Sequence, residues 1–403
     1  MDETTMEEGD HSRDTEVAPA LVAVHPTQRS VAVAVGSDLR VFDLQGGCSV
    51  SLVDDSGGRP HNDSIRAICY GAKGKLFVSA GDDKLVKIWN TDPWSCIYTV
   101  SSEKRVSAVA ISNDALFVCF ADKFGVVWAV DLDGFHENQV LVNKKAVPIL
   151  AHYCSIITSL EFSPDGQFIV SADRDFKIRV TMFPKKPLDG AHEIQSFCLG
   201  LYPALPLSAF QIIPQGFLVS GSGDSTVRLW DITSGSLLDT CEVGAEAGLL
   251  QSNGGEEECY PAVTDLCATP DGSLVAVAIQ SLSGIMLLSC NLSAKTLSIV
   301  KVVTIMEEAF IPTSLGISSA AELLWIVTDS VGYDPIVLED NEVPGGVQLL
   351  EKLQGSVSIQ KEVFLAAAET VKSAMRSLLI KKQYSVEKRE FRKKGRNDRK
   401  IKQ

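Results

Sequence analysis

The sequence has few of the residue groupings that catalysis and metal binding draw on. Its six histidines are dispersed along 403 residues, and its ten cysteines stand singly from Cys48 to Cys290. There is no Cys-x-x-Cys pair and no Cys/His spacing of the kind a zinc site uses. Nor is there a G-x-S-x-G, an H-E-x-x-H or a P-loop. Gly221-Ser222-Gly223 precedes Asp224 and a strand-forming run, not a helix, so it is no phosphate cradle. Positive charge is also short, with 37 Lys and Arg against 51 Asp and Glu for a net charge of −14, which argues against nucleic-acid binding by the chain as a whole. A long apolar span is missing too. The uncharged stretch 272–294 holds Gln280, Ser281, Ser283 and Gly284 at its middle and reads as two strands joined by a turn. Residues 1–17 are acidic and polar, unlike a secretory leader, and are expected to be disordered. Isolated cysteines inside apolar runs (Cys69, Cys119, Cys267) suit a reducing compartment, cytosol or nucleus.

A repeated unit is what the chain does have. Residues 157–180, ITSLEFSPDGQFIVSADRDFKIRV, read as strand, Pro-Asp-Gly turn, strand, Asp-bearing turn and strand. Such a meander cannot bury both faces alone and needs copies of itself as neighbours. Copies begin near residues 18, 65, 106, 157, 207, 263 and 312. Their spacing, roughly 41 to 56 residues, lies close to the period of four-stranded propeller blades. Within three copies an Asp precedes a Trp by six residues: Asp83 and Trp89, Asp122 and Trp128, Asp224 and Trp230. Asp173 keeps the register, but Arg179 stands where the Trp belongs.

This pattern resembles the WD repeat from about residue 18 to 350, and implies an all-β, seven-bladed propeller. His61 and His152 stand where the family's Gly-His pair belongs, without the Gly. In WD repeats that His, a strand Ser or Thr, the turn Asp and the Trp hydrogen-bond as a set. The resemblance assigns structural roles of this kind to Ser79, Asp83 and Trp89, to Ser220, Asp224 and Trp230, and to His152 with Asp173. Blades without the set are expected to rely on packing alone. Two insertions interrupt the pattern: 183–206, read as a long connection, and 243–260, read as a mobile Gly- and Glu-rich loop. Ring closure is left open between a strand from Val347 to Leu350 and one from the N-terminal leader.

Domain boundaries follow: a leader over 1–17, the propeller over 18–350, and a C-terminal helix with a basic tail over 351–403. Phe364, Ala368, Val371, Met375 and Leu378 recur at helical spacing and form one apolar stripe. Residues 381–402 then carry a net charge of +8, which leaves −22 on the remainder. Lys388, Arg389, Arg392, Lys393, Lys394 and Arg396 form a candidate tRNA-backbone contact, and the same tail reads as a nuclear-import signal.

One stretch is more specific than the repeat. LEFSPDGQFIVSADRDFKIRV joined to IQSFCLG (194–200) resembles the non-catalytic WD-repeat subunit of the eukaryotic tRNA (guanine-N7)-methyltransferase. Leu201 departs from that pattern, where His is usual. The resemblance implies no catalysis by this chain, no cofactor of its own, and a heterodimer with a nuclear catalytic subunit. That subunit binds S-adenosylmethionine and methylates a guanine in the tRNA variable loop. Arg174, Lys177 and Arg179 are the candidate partner-binding residues. Lys177 and Arg179 share one side of a strand. Arg179 is read either as an intrachain partner of Asp173 or Asp175, or as a prong for an acidic residue of the catalytic subunit. Two rivals are weighed. A ubiquitin-ligase substrate receptor favours W-D-x-R at a blade end, whereas Trp230-Asp231 is followed by Ile232-Thr233. A propeller enzyme needs carboxylates repeated at non-structural positions, and none recurs.

Overall fold

In a computed structural model, the described residues are 19–54, 60–132, 145–152, 155–175, 177–199, 207–246, 261–280, 282, 284–304, 311–317 and 324–329. They form a ring of antiparallel sheets whose strands follow chain order. Blade 1 is β1 (Leu21–Val24), β2 (Ser30–Val35), β3 (Asp38–Asp43) and β4 (Cys48–Val50). Blade 2 is β5 (Ile65–Gly71), β6 (Leu76–Gly81), β7 (Leu85–Asn90) and β8 (Ser95–Ser101). Blade 3 is β9 (Val106–Ile111), β10 (Phe117–Asp122), β11 (Val126–Asp131) and β12 (Val147–Ala151). Blade 4 is β13 (Ile157–Phe162), β14 (Phe168–Asp173), β15 (Lys177–Met182) and β16 (Ile194–Leu199). Blade 5 is β17 (Leu207–Ile213), β18 (Phe217–Ser222), β19 (Thr226–Asp231) and β20 (Leu237–Glu242), followed by the one-turn helix α1 (Val243–Glu246). Blade 6 is β21 (Val263–Ala268), β22 (Leu274–Ile279), β23 (Gly284–Asn291) and β24 (Thr296–Thr304). A two-stranded sheet, β25 (Ile311–Ile317) with β26 (Leu324–Asp329), comes last.

The described residues therefore hold six four-stranded blades, not seven. The two-stranded sheet fills the interval between blade 6 and blade 1, and the first strands of neighbouring sheets pack on one another all the way round. Closure uses side chains. Ser314 accepts the Val22 amide at 3.2 Å, and the Thr313 hydroxyl donates to the Ala20 carbonyl at 2.9 Å. The leader, the segment 347–350, the C-terminal helix and the basic tail all lie outside the described residues.

Local chemistry explains the repetition. Between the first two strands of blades 3, 4 and 6, a Ser or Thr and an Asp two residues later fix a tight turn. In blade 4, Ser163 donates to Asp165 at 2.5 Å, Asp165 accepts the Gln167 amide at 3.0 Å, and Gly166 takes φ +71. Thr269, Asp271 and Gly272 repeat the arrangement in blade 6. A bulge recurs at the start of the first strand, between Ile65 and Ala67, Ile157 and Ser159, Leu207 and Ala209, and Val263 and Asp265. The core is divided into wedges between sheets. Val170, Ile178 and Val180 of blade 4, for example, meet Phe210, Leu218 and Trp230 of blade 5. Each sheet thus depends on its neighbours for burial.

One sequence expectation is corrected here. The stretch 183–206 is not a bare connection, because it contains β16, the outer strand of blade 4. Fourth strands are pinned on one side only, so their apolar alternation is weak. The loop read at 243–260 begins with α1, and its remainder lies outside the described residues.

Candidate functional site

The hydrogen-bonded sets come first, because they hold the turns that make the surface. In blade 2, Trp89 Nε1 donates to Ser79 Oγ at 3.0 Å, Ser79 meets His61 Nε2 at 2.8 Å, and His61 Nδ1 meets Asp83 at 2.8 Å. The carboxylate accepts a hydrogen bond from Nδ1–H, so Nε2 accepts from the serine and the chain runs Trp, Ser, His, Asp. Blade 4 keeps His152 between Ser171 at 2.8 Å and Asp173 at 2.9 Å. Burial by itself would raise the pKa of Asp83 and of Asp173. Hydrogen bonds from His61 and His152 and from nearby backbone amides outweigh it and hold both carboxyls below the usual value. Their contribution to stability is present above the ordinary carboxylate range and is lost as pH falls through the lowered values.

Blade 3 overturns the expectation that a blade without the set relies on packing alone. It has Phe120 in the serine position, paired with Trp128 as Ser79 is with Lys87, and Trp128 Nε1 donates directly to Asp122 at 2.9 Å. In blade 5, Trp230 donates to Ser220 at 2.9 Å, and Arg228 takes the place of the histidine as partner of Asp224 at 2.6 Å.

The register corrects the placing of Arg179: Thr181 stands in the tryptophan position of blade 4, and Arg179, two residues before it, pairs with Ser171 as Lys87 pairs with Ser79. Arg179 Nε donates to Thr181 Oγ1 and its guanidinium to the Ala151 carbonyl, both at 3.0 Å, so it stitches blade 4 to the outer strand of blade 3. Burial lowers its pKa. Asp173 is engaged by His152, so Arg179 is held by neutral oxygens. Lys177 is exposed at the start of β15, and its amide donates to Asp173 at 3.2 Å. Arg174 is half-buried at the turn before it.

Aligning the Asp-bearing turns reveals what the sequence reading missed. Matched by their backbone bonds to the preceding connection, Asp82 in blade 2, Lys123 in blade 3 and Arg174 in blade 4 stand at one position of the turn, donating to the Ser64, Arg105 and Ile156 carbonyls, and Lys84 follows two residues later. Connections between blades bring these turns side by side. Ser102 donates its amide to the Lys84 carbonyl at 2.8 Å, and Lys123 donates to the Arg105 carbonyl at 3.0 Å. His152 donates to the Gly125 carbonyl at 2.7 Å and Arg174 to the Ile156 carbonyl at 2.9 Å. One rim therefore carries Lys84, Lys104, Arg105, Lys123 and Arg174. Its acids have partners inside the ring: Asp82 with Arg66 and Arg105, Asp83 with His61, Asp122 with Trp128, and Asp173 with His152. Glu103 and Asp63 are exposed exceptions, and Asp175 is half-buried between Arg174 and Lys177 in sequence.

Apolar surface accompanies the cations. Phe124 is 56% exposed, with Lys104 Nζ at 5.3 Å and Lys123 Nζ at 5.6 Å from its ring centre. Below Lys177 and Arg179, their cross-strand partners Leu199 and Phe197 are 53% and 41% exposed. Blades 3 and 4 thus present two exposed phenylalanines and a leucine among cations, the composition of a protein interface core with a charged rim. The arrangement offers no general base, nucleophile or metal cage. Among the described residues no His, Cys, Asp and Glu group as metal ligands, and no helix is long and apolar enough to cross a membrane. Lys388, Arg389, Arg392, Lys393, Lys394 and Arg396 lie outside the described residues.

Comparison with known proteins agrees with this picture. Residues 144–332 match the family described as the tRNA methyltransferase TRM82 WD40 domain, and residues 58–90 match the WD domain, G-beta repeat. Among solved structures, that of U3-55K superposes with a TM-score of 0.63 at 19% identity, covering 81% of this chain and 94% of its own. At that identity the likeness speaks for the propeller fold. Among curated relatives, the tRNA (guanine-N(7)-)-methyltransferase non-catalytic subunit wdr4 of Danio rerio is 32% identical over 236 residues, 57% of this chain and 52% of the relative. The wdr4 of Dictyostelium discoideum is 27% identical over 248 residues, 58% of this chain and 51% of the relative, and human WDR4 is 32% identical over 184 residues, 45% and 41%. The matched part spans about half the length of these relatives. The resemblance carried by residues 157–200 is thus borne out: this WD-repeat propeller is similar to the non-catalytic subunits of tRNA (guanine-N(7)-)-methyltransferase.

Proposed function

We propose that this chain is the non-catalytic subunit of a heterodimeric tRNA (guanine-N7)-methyltransferase, and that the face formed by blades 3 and 4 docks the catalytic subunit. The observation that carries the reading is the row Lys123, Arg174 and Lys177 beside exposed Phe124, Phe197 and Leu199, on a chain whose net charge is −14. A cationic strip on an acidic body selects a partner with an acidic strip, and the aromatic and aliphatic side chains supply the area buried on contact. The propeller's task is mechanical. Arg179 and the two His-Ser-Asp sets hold the turns still, so the partner meets a preorganised face and pays little ordering entropy. Methyl transfer belongs to the partner, which binds S-adenosylmethionine. The basic tail, with Lys388, Arg389, Arg392, Lys393, Lys394 and Arg396, adds a sequence-blind hold on the tRNA backbone in the nucleus.

The test is co-expression with the catalytic subunit. The triple variant K123E/R174E/K177E should bind that subunit at least about 100-fold more weakly, since a favourable pairing becomes a like-charge contact at three places. Its melting temperature should stay near that of the unmodified chain, because the structural bonds made at Lys123, Arg174 and Lys177 are backbone ones. Undiminished affinity in the folded triple variant would sink the docking assignment.

A further inference from the structure

Three seams of the ring are latched in the same manner, and two of the latches are acids. Glu161 of β13 accepts the amide of Ile212 on β17 at 2.9 Å. Gln211 of β17 accepts the amide of Ala268 on β21 at 2.6 Å. Asp265 of β21 accepts the amide of Leu315 on β25 at 2.7 Å. Glu161 and Gln211 are each the fifth residue of their strands, so the same seam geometry is served once by a carboxyl and once by a neutral amide. An acceptor oxygen is all that the latch requires.

The strands packed on the two acids hold no cation to balance a negative charge, although Asp265 also accepts the Leu266 amide at 2.9 Å and a hydrogen bond from Ser314. Of the strands packed on β13, β9 and β17 carry no charged residue, β14 carries only Asp173, which His152 engages, and β10 only Asp122, which Trp128 engages. Of those packed on β21, β17, β18, β22 and β25 carry none. The nearby thiols of Cys119 and Cys267 are pushed up by burial and stay protonated.

We infer that the ring is closed by proton-dependent latches: Glu161 between blades 4 and 5, and Asp265 between blade 6 and the two-stranded sheet, hold their neighbours as neutral acids, and these seams loosen as the protons leave. Burial pushes Glu161 up to about 8 and Asp265 up to about 6. The folded chain thus keeps protons that the unfolded chain releases. Stability from these groups is full below the ordinary carboxylate range, declines as pH rises towards the raised values, and is level above them.

Hydrogen exchange of the full chain tests this seam by seam. Between pH 6 and pH 8.5, after correction for intrinsic rates, protection of the Ile212 amide should fall at least about tenfold. The Ala268 amide, latched by Gln211, should hold its protection and so serves as the internal reference. In Glu161→Gln the fall at Ile212 should vanish. Asp265→Asn should in turn flatten the loss of protection at Leu315 between pH 4.5 and 6.5. A parallel loss at all three amides in the unmodified chain overturns the inference, and this reading needs no variant to fold. An unaltered fall at Ile212 in Glu161→Gln overturns it equally. Neither result bears on the docking face, whose residues lie on the rim turns and outer strand of blades 3 and 4, whereas Glu161 and Asp265 sit on first strands facing the seams.

Discussion

Trp89→Ala is expected to cost about 4 kcal/mol of folding stability, read as a fall in the denaturant midpoint at unchanged slope. Trp89 is completely buried where blade 2 packs against blade 1, across from Phe77 and in one core cluster with Trp94 and Ile65. The deletion removes one of the largest side chains of the core and leaves a cavity that the flanking sheets, tied on both edges, cannot collapse to fill. It also removes the donor to Ser79, the first step of the sequence that ends at Asp83. Trp89→Phe helps separate the two contributions, because it keeps an aromatic ring in the core while losing the indole N–H and part of the packed volume. That variant should cost about 1 kcal/mol. Ser79→Ala should cost more, about 2 kcal/mol, since it strands the Trp89 donor and leaves His61 Nε2 without its partner. Equal losses in Trp89→Phe and Trp89→Ala would show that the hydrogen-bonded set, and not burial, dominates.

The repeat itself was readable from the sequence because it rests on local chemistry. The expected starts at 65, 106, 157, 207 and 263 are the first residues of β5, β9, β13, β17 and β21, where an apolar run meets a turn whose residues fix their own backbone. The outer strands escaped because a strand paired on one edge need not alternate strongly. Ile194, Phe197 and Leu199 of β16 are exposed apolar residues that look, in sequence, like buried ones. The cations Lys123 and Arg174 were legible in principle, since each follows the Asp that ends the second strand of its blade. What no alignment of repeats reveals is a contact across a seam. That Glu161 meets Ile212, or that Arg179 reaches Ala151, depends on how each sheet is rotated against the next.

Gly125→Ala should couple the two halves of this account, lowering stability by about 3 kcal/mol and weakening partner binding together. Gly125 closes the turn that presents Lys123 and Phe124, and it does so at φ +83, where an L side chain is strained. A Cβ there would lie 2.2 Å from the Ser155 carbonyl oxygen and 3.1 Å from that of His152. Both obstacles are backbone, so neither can swing aside. The turn cannot retreat either, because the Gly125 amide donates to the Asp122 carbonyl at 2.9 Å and its carbonyl accepts from His152 at 2.7 Å. Relief has to come from shifting the turn against the 152–156 connection, which moves Lys123 and Phe124 away from Arg174. Phe124→Ala supplies the contrast: its ring is mostly exposed, so its loss should leave the melting temperature within a degree or two and lower affinity for the catalytic subunit about tenfold. The two variants therefore differ in stability while agreeing in binding. If Gly125→Ala melted lower yet bound the catalytic subunit as tightly as the unmodified chain, the turn would be a structural corner and the docking face would have to begin at Arg174.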